Sequence, residues 1–233
     1  MMYTVKYNGE TAAEHGLLVA NRPNIPSAVE DVTTYSVSGR DGDLHRHEGT
    51  VKDISIKITF NYISSPELWG TAFRNATQWL YGREDMRLFL GDDDGWFYKV
   101  KNVVVSEAKR QYKKIGNFTA TFTCEGYAYS LEGQYKTDSL VLYNPYSVSH
   151  PVYHITGEGV CEIAVNGKSM TANVGQNLVI DTDKCIAYRV DGTMMNTAVT
   201  GDYENLYFQE GQNVVTVTDG FTVTVVPGWR CRT

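Results

Sequence analysis

Apolar and polar residues alternate along residues 116–129. Alternation with a period of two places side chains on opposite faces of a strand, so one face covers a core and the other meets solvent. The apolar face comprises Phe118, Ala120, Phe122 and Cys124, and the polar face comprises Thr119, Thr121, Thr123 and Glu125. The pattern predicts a half-buried β-strand that ends at Gly126 and the tyrosines after it.

Other segments repeat this alternation and are separated by turn signals. Apolar faces recur at Ile54, Ile56, Ile58, Phe60 and Tyr62, at Cys161, Ile163 and Val165, and at Phe221, Val223 and Val225. Type I′ hairpin turns need positive φ at both central residues, which Asn-Gly and Asp-Gly tolerate best. Such pairs occur at Asn8-Gly9, Asp41-Gly42, Asp94-Gly95, Asn166-Gly167, Asp191-Gly192 and Asp219-Gly220, and each is a candidate hairpin tip. We therefore expect a mainly β, antiparallel fold.

One segment has helical rather than strand periodicity. Its core residues Trp69, Phe73, Ala76 and Leu80 recur every three or four positions. A serine N-cap before Pro66 and a closing glycine at Gly82 predict a helix over about 66–81. An aromatic stripe at helical spacing usually packs into a core, so we expect the helix to plug an open end of a β-sandwich or split barrel.

The periodicity is lost between Leu131 and Ser139, where polar residues and a glycine accumulate. This change predicts two domains, residues 1–132 with the helix and residues 133–233 without one. Short apolar runs every eight to twelve residues after Leu140 predict that the second domain is an all-β sandwich.

Composition excludes several classes of function. The formal net charge is −6, which argues against specific nucleic-acid binding. No secretion signal and no apolar stretch long enough to cross a membrane is recognisable. The cysteines Cys124, Cys161, Cys185 and Cys231 are dispersed, which indicates reduced, mostly packed thiols.

Few residues suggest catalysis or metal binding. His45 and His47 share a face of a predicted strand, but no third ligand is evident, so we interpret them as residues of a solvated strand. The segment Asp92–Asp94 lacks the spacing of a calcium loop and fits a charged hairpin tip. His15, His150 and His154 are isolated in sequence, and no catalytic motif is present. The sequence predicts no enzyme, no metal site and no cofactor.

Tyrosines accumulate near the predicted domain boundary. The candidate interface aromatics are Tyr127, Tyr129, Tyr143 and Tyr146, since such rings suit protein interfaces and also sugar stacking. The alternative is that these tyrosines pack in the core between the two domains, with their hydroxyl groups at its polar edge. Further on, residues 204–209 match the recognition site of a potyviral protease, with Glu210 where a small residue is preferred; we interpret the match as a native coincidence.

Several motifs resemble, in order, those of the distal tail (Dit) proteins of long-tailed phages. The sharpest is the turn formed by Gly39, Arg40, Asp41 and Gly42, followed by the strand to Tyr62, the Trp69 helix and the Phe118–Cys124 strand. The second half adds segments from Ser149 to Asn213 in the family order. Two features depart from the family, namely Gly126-Tyr127 in place of Pro-Tyr and a longer loop from Gly201 to Asn213.

The resemblance implies a structural protein of the virion, located at the distal end of the tail and assembled in the host cytoplasm. It implies a ring-forming first domain, either a homohexamer or a dimer of rings, and a galectin-like or carbohydrate-module-like second domain. The implied partners are the tail tube protein and the tail-tip or tail-associated lysin protein, with a receptor-binding protein or a host glycan as further candidates. The alternative function is a carbohydrate-binding adhesin module that recognises a cell-wall glycan.

Overall fold

The computed structural model describes residues 3–233, which divide into two compact units. The first unit runs to Ala128 and takes back the last two residues, Arg232–Thr233, while the second comprises Tyr129–Cys231. The second unit is therefore an insertion near the C-terminal end of the first. The predicted boundary at 132/133 lies a few residues later and did not include this return.

The first unit is built on one curved antiparallel sheet. Its strands are β1 (Val5–Tyr7), β2 (Glu10–Thr11), β3 (Leu17–Val19), β4 (Glu30–Tyr35), β5 (Leu44–Val51), β6 (Ile54–Ile63), β7 (Arg87–Leu90), β8 (Trp96–Val105), β9 (Lys109–Arg110) and β10 (Ile115–Ser130), and its helix is α1 (Trp69–Leu80). The main sheet has the order β2-β1-β7-β8-β10-β6-β3, with β9 beside β10. Strands β4 and β5 pair only with each other in a separate sheet.

The core of the first unit lies on the apolar faces of β6 and β10. These strands pair from Ile115↔Ile63 to Cys124↔Ile54, which brings the two predicted apolar faces together. All of the predicted face residues of both strands are buried. The strand does not end at Gly126 as predicted, because β10 continues to Ser130. Gly126 is instead a point of close approach, where an added Cβ would lie 2.6 Å from the carbonyl oxygen of Lys52.

Helix α1 packs on this core as expected, but its ends differ from the prediction. It begins at Trp69, because the amide of Leu68 bonds to the carbonyl of Ser65 and closes a tight turn before the helix. No side chain caps the N-terminus, and the C-cap is Tyr81 in a right-handed conformation rather than a left-handed glycine. Ala76 and Leu80 are buried, and Trp69 and Phe73 pack partly buried against the core.

The second unit is a seven-stranded antiparallel sheet centred on one long hairpin. Its strands are β11 (Val141–Asn144), β12 (Val152–Val165), β13 (Lys168–Asp181), β14 (Ile186–Tyr188), β15 (Val199–Thr200), β16 (Gly211–Val217) and β17 (Thr222–Val226). The last strand, β18 (Arg230–Arg232), does not belong to this sheet and pairs with β10. The order is β11-β16-β12-β13-β14, with β15 on β13 and β17 on β12. Strands β12 and β13 pair without interruption from Val152↔Asp181 to Val165↔Lys168. The mainly β fold class with a single α-helix is confirmed for residues 3–233.

The Asn-Gly pairs close hairpins with both central residues at positive φ. This holds for Asn8-Gly9 between β1 and β2 and for Asn166-Gly167 between β12 and β13. The prediction of a hairpin at Asp219-Gly220 is wrong. Strands β16 and β17 pair with successive parts of β12. The dipeptide therefore connects two strands that run in the same direction along one edge of β12 and does not reverse the chain. No helix in residues 3–233 is long and apolar enough to cross a membrane.

Candidate assembly surface

The hairpin of β4 and β5 pairs with no other strand, and few of its side chains are covered by the rest of the first unit. Tyr35 pairs with Leu44 near the tip, and a register shift between Glu30 and Val32 marks a bulge near the base. Almost every side chain of β5 is exposed, and no residue of β4 is fully buried. A two-stranded sheet is marginally stable at best in water unless something packs on it. The hairpin is therefore suited to be covered by another protein surface.

The predicted family turn lies at the tip of this hairpin. Gly39 and Gly42 have φ values of 82° and 77°, which explains why glycine occupies both positions. Arg40 and Asp41 are exposed between them. Apolar side chains next to the turn are also exposed, at Tyr35, Val37 and Leu44. The tip thus presents apolar and charged groups together.

Each histidine of β5 contacts a polar side chain on β4. His47 Nδ1 lies 3.0 Å from Glu30 Oε1, and His45 Nδ1 lies 3.3 Å from the hydroxyl of Thr34. Within residues 3–233, no group of three or more histidine, cysteine or acidic side chains is arranged to hold a metal ion. The interpretation as a solvated strand fits these contacts.

The Asp92–Asp94 segment joins β7 to β8 and is tied to the first unit by an ion pair. Asp92 Oδ1 lies 3.2 Å from an Arg22 guanidinium nitrogen. Burial, reinforced by the neighbouring charge of Asp94, raises the pKa of Asp93. The segment is a charged turn, as the sequence indicated.

The candidate interface tyrosines differ in accessibility. Tyr143 lies on edge strand β11 and is 70% exposed, whereas Tyr129 is only 3% exposed. Tyr127 and Tyr146 are half-buried, and Tyr127 belongs to the first unit while the other three belong to the second. Tyr143 is therefore the member of this set that offers most of its side chain to a partner.

Residues 204–209, which match the protease site, are built into the core of the second unit. Leu206 and Phe208 are fully buried. The backbone of Phe208 exchanges two hydrogen bonds with Ser149, and its ring packs against Trp229. The side chain of Asn205 also donates to the carbonyl of Ser169. These contacts support the interpretation of the segment as native.

His150 is isolated in sequence but not in the folded chain. Its Nε2 lies 2.8 Å from the guanidinium of Arg230, and its Nδ1 lies 3.1 Å from Asp183 Oδ1. A guanidinium only donates, so Nε2 accepts and Nδ1–H donates to Asp183. The ring also stacks on Tyr207 at 4.1 Å. The nitrogen that a general base would use is thus already hydrogen-bonded.

One charged feature was missed in the sequence. The segment from Lys109 to Lys114, named the basic hairpin here, carries four cations in six residues around Tyr112 at the β9–β10 turn. The net charge of −6 hid this cluster, because a chain-wide sum contains no information on position. A short sliding window over charge would have found it.

Comparison with known proteins gives no sequence match. No protein-family model matches the chain, and no curated protein sequence matches it significantly. Among solved structures, the crystal structure of SPP1 Dit (gp 19.1) superposes with a TM-score of 0.72 over 97% of this chain and 98% of that one, at 12% sequence identity.

The chain has the fold of SPP1 Dit. The resemblance that was read from collinear motifs is therefore confirmed at the level of the fold. The match covers both chains almost completely, so the shared fold extends over both units of this chain. At this identity the comparison identifies the fold rather than the function of individual residues.

Proposed function

We propose that this protein is a structural component of a phage tail, the distal tail protein of its hub. The match to SPP1 Dit over nearly the whole of both chains carries this proposal. SPP1 Dit is described as a paradigm of the hub adsorption apparatus in phages that infect Gram-positive bacteria. The protein would then be located in the virion, at the distal end of the tail, after assembly in the host cytoplasm.

The first unit would assemble into a homohexameric ring, alone or as a dimer of rings. A ring requires a heterologous interface, in which two different surfaces of the same chain meet. The exposed hairpin β4–β5, with Tyr35, Val37 and Leu44 at its tip, supplies one such surface. Packing on a neighbouring copy would give this hairpin the support that its own chain lacks.

The ring would join the tail tube protein to the tail-tip or tail-associated lysin protein. A receptor-binding protein is a further candidate partner. DNA would pass through the ring without specific binding, and the net charge of −6 is consistent with weak retention of phosphate. The role is structural rather than enzymatic, and the occupied ring nitrogens of His150 support this.

Electron microscopy and light scattering of the purified protein test the assembly. We expect six-fold rings whose formation depends on concentration. The double variant Tyr35→Ser/Leu44→Ser should remain monomeric with an unchanged melting temperature, because both side chains are exposed in the single chain. Val160→Ser, at an exposed apolar position on β12, is the matched control and should still form rings. A wild-type protein that stays monomeric at every concentration would contradict the proposal.

Glycan binding by the second unit remains the second candidate function. Its observation is the exposure of Tyr143 on edge strand β11 and of Tyr135 before it, since exposed rings stack on sugars. Trp229, the tryptophan of this unit, is buried and unavailable. A glycan array with wild-type protein and Tyr143→Ala tests this candidate. Binding that depends on Tyr143 would favour an adhesin role.

A further inference from the structure

Two neighbouring aromatic side chains of the first unit each carry a buried polar atom without a hydrogen-bond partner. The two atoms are the Tyr62 hydroxyl oxygen and the Trp69 indole nitrogen Nε1, and the two rings are 5.6 Å apart between centroids. Tyr62 is only 2% exposed. Leaving a buried donor unpaired costs about 1–3 kcal/mol, so such groups call for a physical explanation.

The exposed side chain of Arg110 lies over the indole ring of Trp69. Its guanidinium carbon lies 4.6 Å from the centroid of the Trp69 ring, and one of its nitrogens donates a long 3.3 Å hydrogen bond to the carbonyl of Pro66. Tyr62, Trp69 and Arg110 are named the Trp69 cluster here. The cluster combines two neutral hydrogen-bond donors with a cation that is held by weak contacts.

The backbone is shaped to hold Tyr62 in this position. Gly116 lies beneath its ring, where an added Cβ would be 2.5 Å from Cζ and 2.7 Å from the hydroxyl oxygen. Burial raises the pKa of Tyr62 to about 12, so the group stays a neutral donor throughout the physiological range. The unpaired hydroxyl is thus held in place and carries its proton at physiological pH.

The surface around the Trp69 cluster carries more cations than acidic groups: Glu67 is exposed next to Pro66, and Glu107 lies 3.7 Å from Lys109. The basic hairpin adds Lys109, Lys113 and Lys114, and the amide of Ser64 bonds to the carbonyl of Lys114, which fixes the hairpin beside the start of α1. Exposed apolar side chains in the same neighbourhood are Ile63, Leu68 and Tyr112. The local excess of cations contrasts with the net charge of −6 of the whole chain.

We propose that the Trp69 cluster and the basic hairpin form a docking site for a carboxylate side chain on an acidic, apolar-flanked segment of a partner protein. A tryptophan N–H only donates and a tyrosine hydroxyl readily donates, so both fit oxygen acceptors. A guanidinium pairs with a planar carboxylate through two parallel hydrogen bonds. The lysines provide long-range attraction, and Ile63, Leu68 and Tyr112 provide apolar contacts that a nucleic-acid backbone would not use.

Binding requires a movement of Arg110. In the free chain both orphan atoms are closed to water, and Arg110 is the exposed group above the indole. An incoming carboxylate takes the guanidinium as its ion-pair partner and turns it off the ring. One carboxylate oxygen then accepts from Trp69 Nε1 and the Tyr62 hydroxyl. The free energy lost by leaving these groups unpaired in the free chain is recovered in the complex.

The test uses the full chain and a fluorescein-labelled peptide of alternating glutamate and leucine, with a glutamine–leucine peptide as control. Anisotropy gives the affinity, and fluorine NMR of protein labelled with 5-fluorotryptophan shows the environment of Trp69, whose signal is assigned with Trp69→Phe. We expect the glutamate peptide to bind and to shift the Trp69 signal, and the glutamine peptide to do neither. This readout is independent of ring formation, so its failure would leave the proposed tail function standing.

Matched variants separate this site from general charge attraction. Tyr62→Phe should weaken peptide binding roughly tenfold or more, because it removes one hydrogen bond to a charged group, yet keep or raise the melting temperature. Tyr81→Phe removes an exposed hydroxyl from the end of α1 and should change neither. Equal binding to wild type and Tyr62→Phe, no shift of the Trp69 signal, or binding of a single-stranded oligonucleotide in preference to the peptide would each overturn the proposal.

Discussion

The hydroxyl group of Tyr153 donates a 2.6 Å hydrogen bond to the backbone carbonyl of Leu206. Both residues are fully buried, and the ring of Tyr153 also meets Phe208 edge-on at 6.1 Å. Through these contacts β12 holds the segment 204–209 in the core of the second unit. The segment is therefore part of the core of the second unit.

We expect Tyr153→Phe to lower the free energy of unfolding by about 1–3 kcal/mol, because it leaves the buried Leu206 carbonyl unpaired. Chemical denaturation followed by fluorescence measures the change. Tyr143→Phe removes a hydroxyl from an exposed ring and should alter stability by less than about 0.5 kcal/mol. Equal effects of the two substitutions would argue against the bond.

The folded protein should resist the potyviral protease at Gln209. A protease needs its substrate extended and accessible, whereas Leu206 and Phe208 are buried. The variant Glu210→Gly supplies the small residue that the protease prefers and should still resist cleavage while folded. The same variant should be cut in partly denaturing buffer, as followed by gel electrophoresis. Rapid cleavage of native protein would show that the segment is not held in the core.

Stability should fall at alkaline pH partly because of Tyr62. Its pKa is about 12 in the folded chain, above its ordinary value of 10.0, since burial disfavours the phenolate. A raised folded-state pKa gives stability that is complete below pH 10 and is lost as pH rises toward 12, with a slope of up to about 1.4 kcal/mol per pH unit. Tyr62→Phe should make this decline shallower. Denaturation at pH 9, 10 and 11 measures it, with Tyr81→Phe as the control.

Gly116→Ala should destabilise the first unit. The new methyl group would lie 2.5 Å from Tyr62 Cζ, so the ring or the strand must shift, and overpacking of this kind costs about 1–3 kcal/mol. Gly95→Ala is the matched control, because no atom lies within 4 Å of its added Cβ. Thermal melts compare them. Comparable melting temperatures would mean that Tyr62 moves aside freely.

Amides of β4 and β5 should exchange with solvent quickly in the isolated chain. The hairpin has few buried contacts, and low local contact density lowers the free energy of local opening. The β12–β13 hairpin, paired along its whole length, should exchange slowly and provides the internal control. Assembly into a ring should protect β4 and β5. Hydrogen exchange by mass spectrometry before and after assembly decides this.

Much of the fold could be predicted because its strongest signals are local. The alternation on β6 and β10 identified the buried faces correctly, and the Asn-Gly pairs at 8–9 and 166–167 identified two hairpins. The prediction at Asp219-Gly220 was wrong because the same turn residues occur where the chain reverses and where it only breaks between two strands of the same direction. Only the pairing of β16 and β17 with a common neighbour distinguishes the two cases.

The candidate sites were less predictable because they depend on contacts between distant positions. His150 contacts Asp183 and Arg230, which are distant in sequence, and no short motif indicates these contacts. The lack of hydrogen-bond partners at the Tyr62 hydroxyl and the Trp69 indole nitrogen is likewise a property of the folded environment, and neither residue type indicates it. Leu206 and Phe208 could be recognised as apolar but not as buried, since the segment has no regular periodicity.

The return of the last residues to the first unit has a consequence for synthesis on the ribosome. Thr233 accepts a hydrogen bond from the amide of Ala28 and donates to the carbonyl of Gly126, and Arg232 donates to Ala28. These bonds join parts of the chain that are translated before and after the whole of 129–231. During translation these contacts form only after residues 129–231 have been synthesised. The second unit therefore has time to fold before the contacts of Arg232 and Thr233 with the first unit are made.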